Sequence, residues 1–291
     1  CVTEFGLVAP YVTIPLGYGV IFQGIVAENM TANGMPIEMI EVWPHTIILG
    51  AGMLVGLIGS WWFFRKPRDY QDISLEGISL EDEAIRLNKD HIVSLIAIAG
   101  VLFGQLYWDS MPLGALLGIL IMIIGGAVKL RNSDGTIAEG IRLMGMVSFI
   151  MLIAGGYAYV VNQTGAVDTL IDATLAILGA SKVVFVIVLI IIGLLITMGI
   201  GTSFGTIPVI ALFYVPMCMK MNMSVGATAC LIACAAALGD AGSPASDSTL
   251  GPTSGLNADG QHDHIWDTCV PTFFFYNLPL AIAGFIGGMI L

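Results

Sequence analysis

The chain alternates long apolar runs with short polar segments, a pattern typical of helices that cross a membrane repeatedly. A membrane-spanning helix needs about 20 mostly apolar residues bounded by polar flanks. Runs that meet this description cover 5–26, 44–64, 91–107, 112–130, 142–162, 183–200 and 269–290. Lipid offers the backbone no hydrogen-bond partner, so each run is predicted to be a helix. The pattern therefore predicts an all-α, polytopic helix bundle in a lipid bilayer.

Shorter pieces interrupt this pattern in the second half of the chain. Residues 166–179 are amphipathic and too short to cross, which suits an interfacial or re-entrant segment. Residues 207–219 and 224–238 are apolar but also short, and residues 239–268 are polar. Broken or re-entrant helices are therefore expected there.

Composition supports the membrane interpretation and narrows the classes of partner. Apolar residues make up 57% of the 291 residues and charged residues only 11%, against about 25% in soluble domains. The net charge of −11 comes with no basic stripe, so no nucleic-acid partner is expected. The five cysteines do not suggest a disulfide framework. Cys230 and Cys234 share one helical face, where small side chains suit close packing.

Lysine and arginine predict the orientation. Five of the ten lie in the polar segment 65–90, and three more flank the polar segment 131–141. Two predicted spans separate these segments, so both lie on one side, which the positive-inside rule makes cytoplasmic. We expect a multi-pass protein of a prokaryotic plasma membrane.

The first interruption, 197–206, reads Thr-Met-Gly-Ile-Gly-Thr-Ser-Phe-Gly-Thr. Its glycines loosen the backbone and its hydroxyls supply oxygen atoms; they are Gly199, Gly201, Gly205, Thr202, Ser203 and Thr206. Irregular backbone at membrane depth is tolerated only where protein buries it or where it lines a wet cavity. Freed carbonyl groups there can coordinate a cation. The alternative is a tight turn whose small residues allow close helix packing.

The second interruption, 239–249, directly follows an apolar half-span. Gly239 and Gly242 permit bending, and Pro244 ends a helix. Its oxygen-bearing side chains are Asp240, Ser243, Ser246, Asp247, Ser248 and Thr249. A small hard cation prefers oxygen ligands of this kind. The alternative is a solvated loop in which these residue types only form turns.

Asp240 is the leading candidate because it still belongs to the apolar run. A carboxylate within a membrane segment points to function, since burying its charge is costly unless something pairs with it. Burial favours the protonated acid, and a nearby cation favours the ionised form. One aspartate can therefore exchange a proton for Na⁺, with Asp247 as a second predicted ligand or gate.

The run His262-Asp263-His264 resembles a metal cluster at first sight. Zinc needs three or four ligands with supporting contacts, whereas two histidines two residues apart in a polar loop are more often solvated. We expect a structural or gating role for these histidines and no metal beyond transported Na⁺.

Glu28 and Asn29 follow an apolar run, where a span normally ends in water. The functional alternative makes 10–35 the first-half counterpart of 197–223. Setting Gly17 on Gly205 also sets Met35 on Met223, and transporters built from inverted repeats place broken helices at corresponding positions.

The two interruptions together resemble the Na⁺/H⁺ antiporter family of the NhaC type. GTSFGT at 201–206 and GDAGSPASDST at 239–249 are followed by HDHIWDT at 262–268. The sequence around these motifs is most similar to a subgroup of predicted amino-acid (histidine) transporters. The sequence departs from the family pattern at Ala241 and Gly242, where a bulkier pair is common, and at Phe204, where Trp is common. These departures leave the transported solute open.

The resemblance implies a larger ion-transporter fold of two inverted repeats. The chain would then be a fragment lacking its N-terminal portion, which also suits its start at Cys1. Residues 1–64 would end the first repeat, 65–90 would be a cytoplasmic loop and 91–291 would form the second repeat.

The expected function is ion-coupled secondary active transport. The leading form is Na⁺/H⁺ antiport, and the alternative is Na⁺- or H⁺-coupled movement of an amino acid. Asp240 and Asp247 are the predicted ion and proton ligands, assisted by Thr202, Ser203, Ser243, Ser246 and Thr249. No cofactor is expected, and homo-oligomerisation is left open. A channel would more often repeat one filter motif, and an intramembrane aspartyl enzyme would need a reacting group between its two carboxylates.

Overall fold

The computed structural model describes residues 1–65, 88–108, 110–128, 181–257 and 260–291, with eight isolated positions between 135 and 169. These residues are helical and form no β-strand, so the predicted all-α, polytopic membrane fold is confirmed. The chain divides into two compact units. One contains Cys1–Ile73 and Phe149–Leu291, and the other contains Ser74–Ser148.

Several helices of the described part are long and apolar enough to cross a bilayer. They are α3 (Met39–Phe63), α4 (Lys89–Trp108), α6 (Lys182–Ile200), α7 (Ser203–Lys220) and α10 (His264–Ile290). A sixth span is the bent pair α1 (Val2–Thr13) and α2 (Tyr18–Ala32). Shorter helices are α5 (Met111–Gly125), α8 (Val225–Ala237) and α9 (Asp247–Leu256).

The N-terminal span is broken, which corrects the single run predicted over 5–26. Helices α1 and α2 meet at an angle of 50°. The chain leaves α1 at Ile14 in an extended conformation and enters α2 through Gly17, whose φ is +57°. An L side chain is strained at such a φ, so glycine allows this break. Glu28 lies within α2 and is exposed.

Helices α6 and α7 are separated by only two residues, Gly201 and Thr202. Gly201 ends α6 in the left-handed conformation, with φ +73°. The predicted break over 197–206 is therefore shorter than expected. Gly199 lies inside α6 and Gly205 inside α7, so neither of these glycines breaks the backbone.

Helix α8 is the centre of the first unit. All of its residues from Gly226 to Ala237 are buried, and it packs against α2, α3, α6, α7 and α10. Ser224 caps its N-terminus by accepting a hydrogen bond from the Ala227 amide at 3.0 Å. The thiols of Cys230 and Cys234 lie against Gly287 and Gly284 of α10, and all five cysteines are free. The expected packing role for this pair of cysteines is therefore confirmed.

The polar segment 239–268 is more ordered than its composition suggests. After the turns at Gly239 and Gly242, residues 247–256 form α9, although Pro252 lies inside it. The last span starts at His264, five residues before the predicted start at 269, with π-helical stretches at His264–Cys269 and Phe273–Asn277. Such stretches are rare and occur frequently at functional sites.

The second unit contains the hairpin of α4 and α5. Small residues let the two helices approach closely: a Cβ added to Gly104 would lie 2.8 Å from the Cα of Gly114. Ser110 caps α5, and Gly126 ends it with φ +80°.

Three predictions lie outside the described residues. They are the span 142–162, the amphipathic segment 166–179 and nearly all of the cytoplasmic loop 65–90, each of which stays a prediction. The repeat boundaries at 1–64 and 91–291 are likewise predictions.

Candidate ion-binding site

The two predicted interruptions meet inside the first unit. A Cβ added to Gly201 would lie 2.9 Å from the Ala245 carbonyl oxygen, so the first break touches the second. Gly239, with φ +78°, lies equally close to the end of α6, where an added Cβ would be 2.7 Å from the Met198 nitrogen. Gly242, with φ +90°, lies against Phe273 of α10. Glycine is required at these contacts because both the φ and the close approach exclude a side chain.

Asp240 lies at this meeting point and is 7% exposed. Hydroxyl groups surround its carboxylate. Oδ2 accepts hydrogen bonds from Ser203 at 2.6 Å and from Tyr11 at 3.3 Å. Oδ1 accepts hydrogen bonds from Ser246 and, at 3.4 Å, from Ser248. The buried carboxylate is thus hydrogen-bonded on both oxygens, which stabilises its ionised form.

Two helix N-termini also lie at this carboxylate. Ser203 is the first residue of α7, and Ser246 is the N-cap of α9. The N-terminus of a helix carries partial positive charge from its unpaired amides, so both helices favour a negative group here. Aromatic packing holds Tyr11 in place, because the Phe204 ring lies 5.7 Å from the Tyr11 ring and 6.0 Å from Phe22.

Other predicted ligands support the backbone of the second break. Ser243 donates to the Met198 carbonyl at 3.1 Å, and Thr249 donates to the carbonyls of Ser243 and Ser246. Thr202 is half-buried, and its carbonyl accepts a hydrogen bond from Thr206 at 2.7 Å. The structure therefore brings Ser203 and Ser246 to Asp240, whereas the hydrogen bonds of Ser243 and Thr249 go to main-chain carbonyls.

Of two further predicted site residues, one stays a prediction and the other has a role that differs from the expected one. Asp247 begins α9, but its side chain lies outside the described part of the structure, so its role as a second ligand stays a prediction. Pro244 is exposed and does not end a helix, because α8 has already ended at Ala237. Its carbonyl accepts a hydrogen bond from His264 Nε2 at 3.0 Å.

Glu4 is the residue that sequence reasoning missed. It lies in the first turn of α1 and is only 2% exposed. Ser248 lies beside its carboxyl group, yet neither carboxyl oxygen has a hydrogen-bond partner among the described residues. Its position against an apolar run was an available signal, but starting the first span at residue 5 made Glu4 a polar flank. Tyr11 carried no such signal, because tyrosine is common in apolar helices.

Asn277 was also missed. Its amide donates to the Ala241 carbonyl at 2.7 Å, and its carbonyl accepts from the Gly239 amide at 3.3 Å. The side chain therefore satisfies two backbone groups that the break frees from helical pairing. Asn277 ends a π-helical stretch of α10, and only the fold brings it to residues 239–241.

The two histidines take part in a hydrogen-bonded cluster at the start of α10. His264 Nδ1 lies 2.9 Å from the Thr253 hydroxyl, and His262 Nε2 lies 2.7 Å from the Thr268 hydroxyl. Thr253 and Thr268 are themselves 2.8 Å apart. Within the described part of the chain, no three His, Cys, Asp or Glu side chains are grouped as a metal site would require.

The sequence profile of the Na⁺/H⁺ antiporter family matches residues 2–285, nearly the whole chain. The chain belongs to this family. The expected resemblance is thus confirmed, and the protein is a member of a family of membrane transporters.

Three relatives match over all of the chain. A Bacillus subtilis protein named "Putative amino acid transporter YuiF" is 46% identical over 298 residues. A Vibrio parahaemolyticus protein named "Uncharacterized membrane protein VP2115" is 45% identical over 295 residues. A Haemophilus influenzae protein with the name "Uncharacterized membrane protein" is 43% identical over 301 residues. The chain spans about two thirds of the length of these relatives, 66% of the first two and 67% of the third. No solved structure matches it.

Proposed function

We propose that the protein exchanges Na⁺ for H⁺ across a prokaryotic plasma membrane, using the buried carboxylate of Asp240 as its central ion ligand. The observation that carries this proposal is the shell of hydroxyl groups around a carboxylate at the meeting point of broken helices. Family membership supports the class of function, and the geometry supports the small size of the ligand.

The chemistry of hydroxyl groups suits such an exchange. Each hydroxyl has one proton to donate and two lone pairs to share. Without a cation, the hydroxyls of Ser203 and Ser246 donate to Asp240. With a cation present, rotation about the C–O bond turns the proton away and presents a lone pair. The same oxygen atoms can therefore stabilise either a bare carboxylate or a carboxylate paired with Na⁺, whose preference for oxygen ligands is that of a hard cation.

The dimensions of the site favour an ion over a larger solute. The Ser203 hydroxyl lies 2.6 Å from the Asp240 carboxylate. The hydroxyl groups that donate to this carboxylate belong to α1, to α7 and to α9 with its N-cap, so three helices converge on it. A desolvated cation or a proton fits between atoms at such distances with small shifts. An amino acid would require these helices to separate.

Coupled amino-acid transport is the second candidate, because the Bacillus subtilis relative is named as an amino-acid transporter. In that case Asp240 would still bind the coupling ion. The solute would occupy a space that opens between helices in another state of the transport cycle.

We also propose that the helices are arranged as an inverted repeat. Two sets of elements follow the same order: a helix, a glycine with positive φ, a second helix and a turn. The turns share a detail, since Met35 donates its amide to Met30 and Met223 donates its amide to Cys218, five residues back in each case. Gly17 then corresponds to Gly201, not to Gly205 as the sequence alignment suggested.

Reconstituted vesicles give the direct test of the function. The full-length protein would be placed in liposomes containing a pH-sensitive dye and challenged with Na⁺, K⁺ or a panel of amino acids. We expect Na⁺ alone to drive proton movement in the opposite direction. Proton movement that requires an amino acid would support the second candidate, and ion flux without proton movement would favour a channel.

Orientation has its own measurement. The proposal that 65–90 face the cytoplasm predicts that a single cysteine at Ser79 resists an impermeant thiol reagent in intact cells. Ready labelling from outside would overturn the orientation.

A further inference from the structure

We propose that Glu4 is the second carboxylate of the ion site and that it carries the proton that the cation displaces. This inference rests on the proposed Na⁺/H⁺ exchange and adds to it the group at which proton and cation compete. It gives Asp240 a different task, that of the permanent negative charge.

The placement of Glu4 follows from α1. Glu4 and Tyr11 are seven residues apart, which is nearly two helical turns, so they lie on the same face. Tyr11 donates its hydroxyl to Asp240, so this face of α1 borders the site. Side chains in a helix lean toward its N-terminus, which carries the Tyr11 ring toward the turn that holds Glu4. Ser248, which donates to Asp240, also lies beside the Glu4 carboxyl.

The absence of a hydrogen bond to either carboxyl oxygen among the described residues sets Glu4 apart from Asp240. Buried polar groups are nearly always hydrogen-bonded, and an unpaired buried charge is more costly still. The titratable side chains that interact with the Glu4 carboxyl in the described part of the chain are Asp240, Tyr11, Cys269 and Tyr276. No Lys or Arg side chain is among them. We therefore infer that the two buried oxygens of Glu4 gain their partner when the cation binds.

The pair of carboxylates provides the coupling. Two buried carboxylates that interact strongly cannot both be ionised without a compensating positive charge. Asp240 has hydroxyl donors on both oxygens, and Glu4 has none in the described structure, so in the empty site the proton resides on Glu4. A cation that binds between them supplies the positive charge, and Glu4 releases its proton. The balance is one Na⁺ bound and one H⁺ released, with no net change of charge at the site.

This division of tasks predicts that Glu4 and Asp240 fail differently when neutralised. Glu4→Gln keeps the size and one acceptor oxygen but has no proton to release. It leaves the charge of Asp240 intact, so Na⁺ should still bind, within about tenfold of the wild-type affinity. The proton release that accompanies binding should be lost, and Na⁺ affinity should no longer depend on pH between 5 and 9.

The experiment measures Na⁺ binding and proton release together on purified full-length protein in weakly buffered detergent solution. Isothermal titration calorimetry gives the affinity, and a pH indicator dye gives the protons released per Na⁺. Glu28→Gln is the matched control, because the same substitution is made at an exposed carboxylate of α2. It should release protons as the wild type does.

The outcomes separate this inference from the proposed function. Wild-type proton release in Glu4→Gln would overturn the role of Glu4 while leaving Na⁺/H⁺ exchange at Asp240 intact. If the wild-type protein itself binds Na⁺ without releasing protons, the proposed function fails. Should Glu4→Gln not reach the membrane, Glu4→Asp carries the test, because its carboxyl is held on a shorter stem. Its proton release should persist with a shifted pH midpoint, and an unchanged midpoint would count against the inference.

Discussion

The site is built from two sides that resemble each other in backbone and differ in how their polar groups are satisfied. The N-terminal side is α1 and α2, broken at Gly17, and the C-terminal side is α6 to α9, broken at Gly201 and at Gly239. Gly201 is pressed against Ala245, whereas an added Cβ at Gly17 would meet no described atom within 4 Å. Gly201 is therefore closely packed and Gly17 has room, although Gly19, two residues after Gly17, lies against the Ile14 carbonyl.

The two sides also differ in how completely their buried polar groups are hydrogen-bonded. On the C-terminal side the carboxylate of Asp240 and the backbone around it are paired with hydroxyl groups and with Asn277. On the N-terminal side Glu4 and the Oε1 atom of Gln23 are buried and have no partner among the described residues. Unpaired buried groups are expensive and persist where a ligand or a change of conformation satisfies them. We interpret the C-terminal side as a preformed anionic cradle, which consists of Asp240 with Ser203, Ser246 and Ser248. We interpret the N-terminal side as the part that responds to the ion.

Asp240→Asn should cause the largest effect, because it removes the charge for which the cradle is built. Losing one member of a buried ion pair costs about 3–5 kcal/mol, which corresponds to a fall in Na⁺ affinity of about 100- to 4,000-fold. Calorimetry with Na⁺ and vesicle proton flux would both report it. Asp90→Asn, at an exposed position of α4, is the matched control and should behave as wild type. Near-normal Na⁺ affinity in Asp240→Asn would show that the cradle is not the ion site.

The sequence predicted the C-terminal side far better than the N-terminal side, for a physical reason. Asp240, Ser246 and Ser248 lie within ten residues of one another, so their chemistry shows as a local motif. Tyr11 and Ser203 are 192 residues apart, and only the fold brings their hydroxyls within 2.8 Å. No periodicity or spacing reports such a contact.

Backbone breaks were predictable in kind but not in position. The glycine-rich segment predicted a break in the helix near residues 197–206, but nothing in the sequence shows which of its glycines makes the break. Gly201 is distinguished by its contact with Ala245, which depends on the position of the second break. Gly199 has no described atom near its missing side chain and continues the helix. Tertiary contact, which the sequence does not display, therefore decided which glycine breaks the helix.

Alanine substitutions at the glycines test the packing difference between the two breaks. Gly201→Ala forces a Cβ against Ala245 at a positive φ, so it should destabilise the protein by more than the 1–2 kcal/mol of the strain alone. Gly17→Ala meets no described atom within 4 Å, so it faces only the conformational cost of φ +57° with ψ −123°, about 1–3 kcal/mol. Gly199→Ala, inside α6, should be neutral or stabilising by up to about 1 kcal/mol. Thermal unfolding in detergent gives all three, and a loss at position 201 no larger than the roughly 1–2 kcal/mol of the strain would contradict its close packing.

Asn277→Ala should have a smaller effect on stability and a larger one on the geometry of the cradle. The substitution leaves the Gly239 amide and the Ala241 carbonyl without their side-chain partner, and hydrogen bonds in membrane proteins average about 0.6 kcal/mol and reach about 1.7. We expect a loss of about 1–2 kcal/mol in unfolding free energy together with weaker Na⁺ binding, because both groups flank Asp240. Asn29→Ala is the control, since the Asn29 side chain donates only to the Ile25 carbonyl of its own helix in the hydrogen bonds described. Unchanged Na⁺ affinity in Asn277→Ala would mean that the second break keeps its shape without the Asn277 hydrogen bonds.

The smallest effect is expected from the histidines, and it tests whether the C-terminal side needs a metal to keep its form. His264 joins the Pro244 carbonyl to the Thr253 hydroxyl, so it links the second break to α9 without any ion. Glutamine can replace one of these hydrogen bonds, and a typical net hydrogen bond contributes about 1 kcal/mol. The double variant His262→Gln, His264→Gln should therefore lose about 1 kcal/mol of stability, keep its Na⁺ affinity within about threefold, and show no dependence on added zinc. Elemental analysis of the purified protein should find no stoichiometric metal in either form. Zinc bound one-to-one in the wild type and lost in the double variant would show that the cradle is held by a metal centre, and the contrast with the unpartnered side would then need a different explanation.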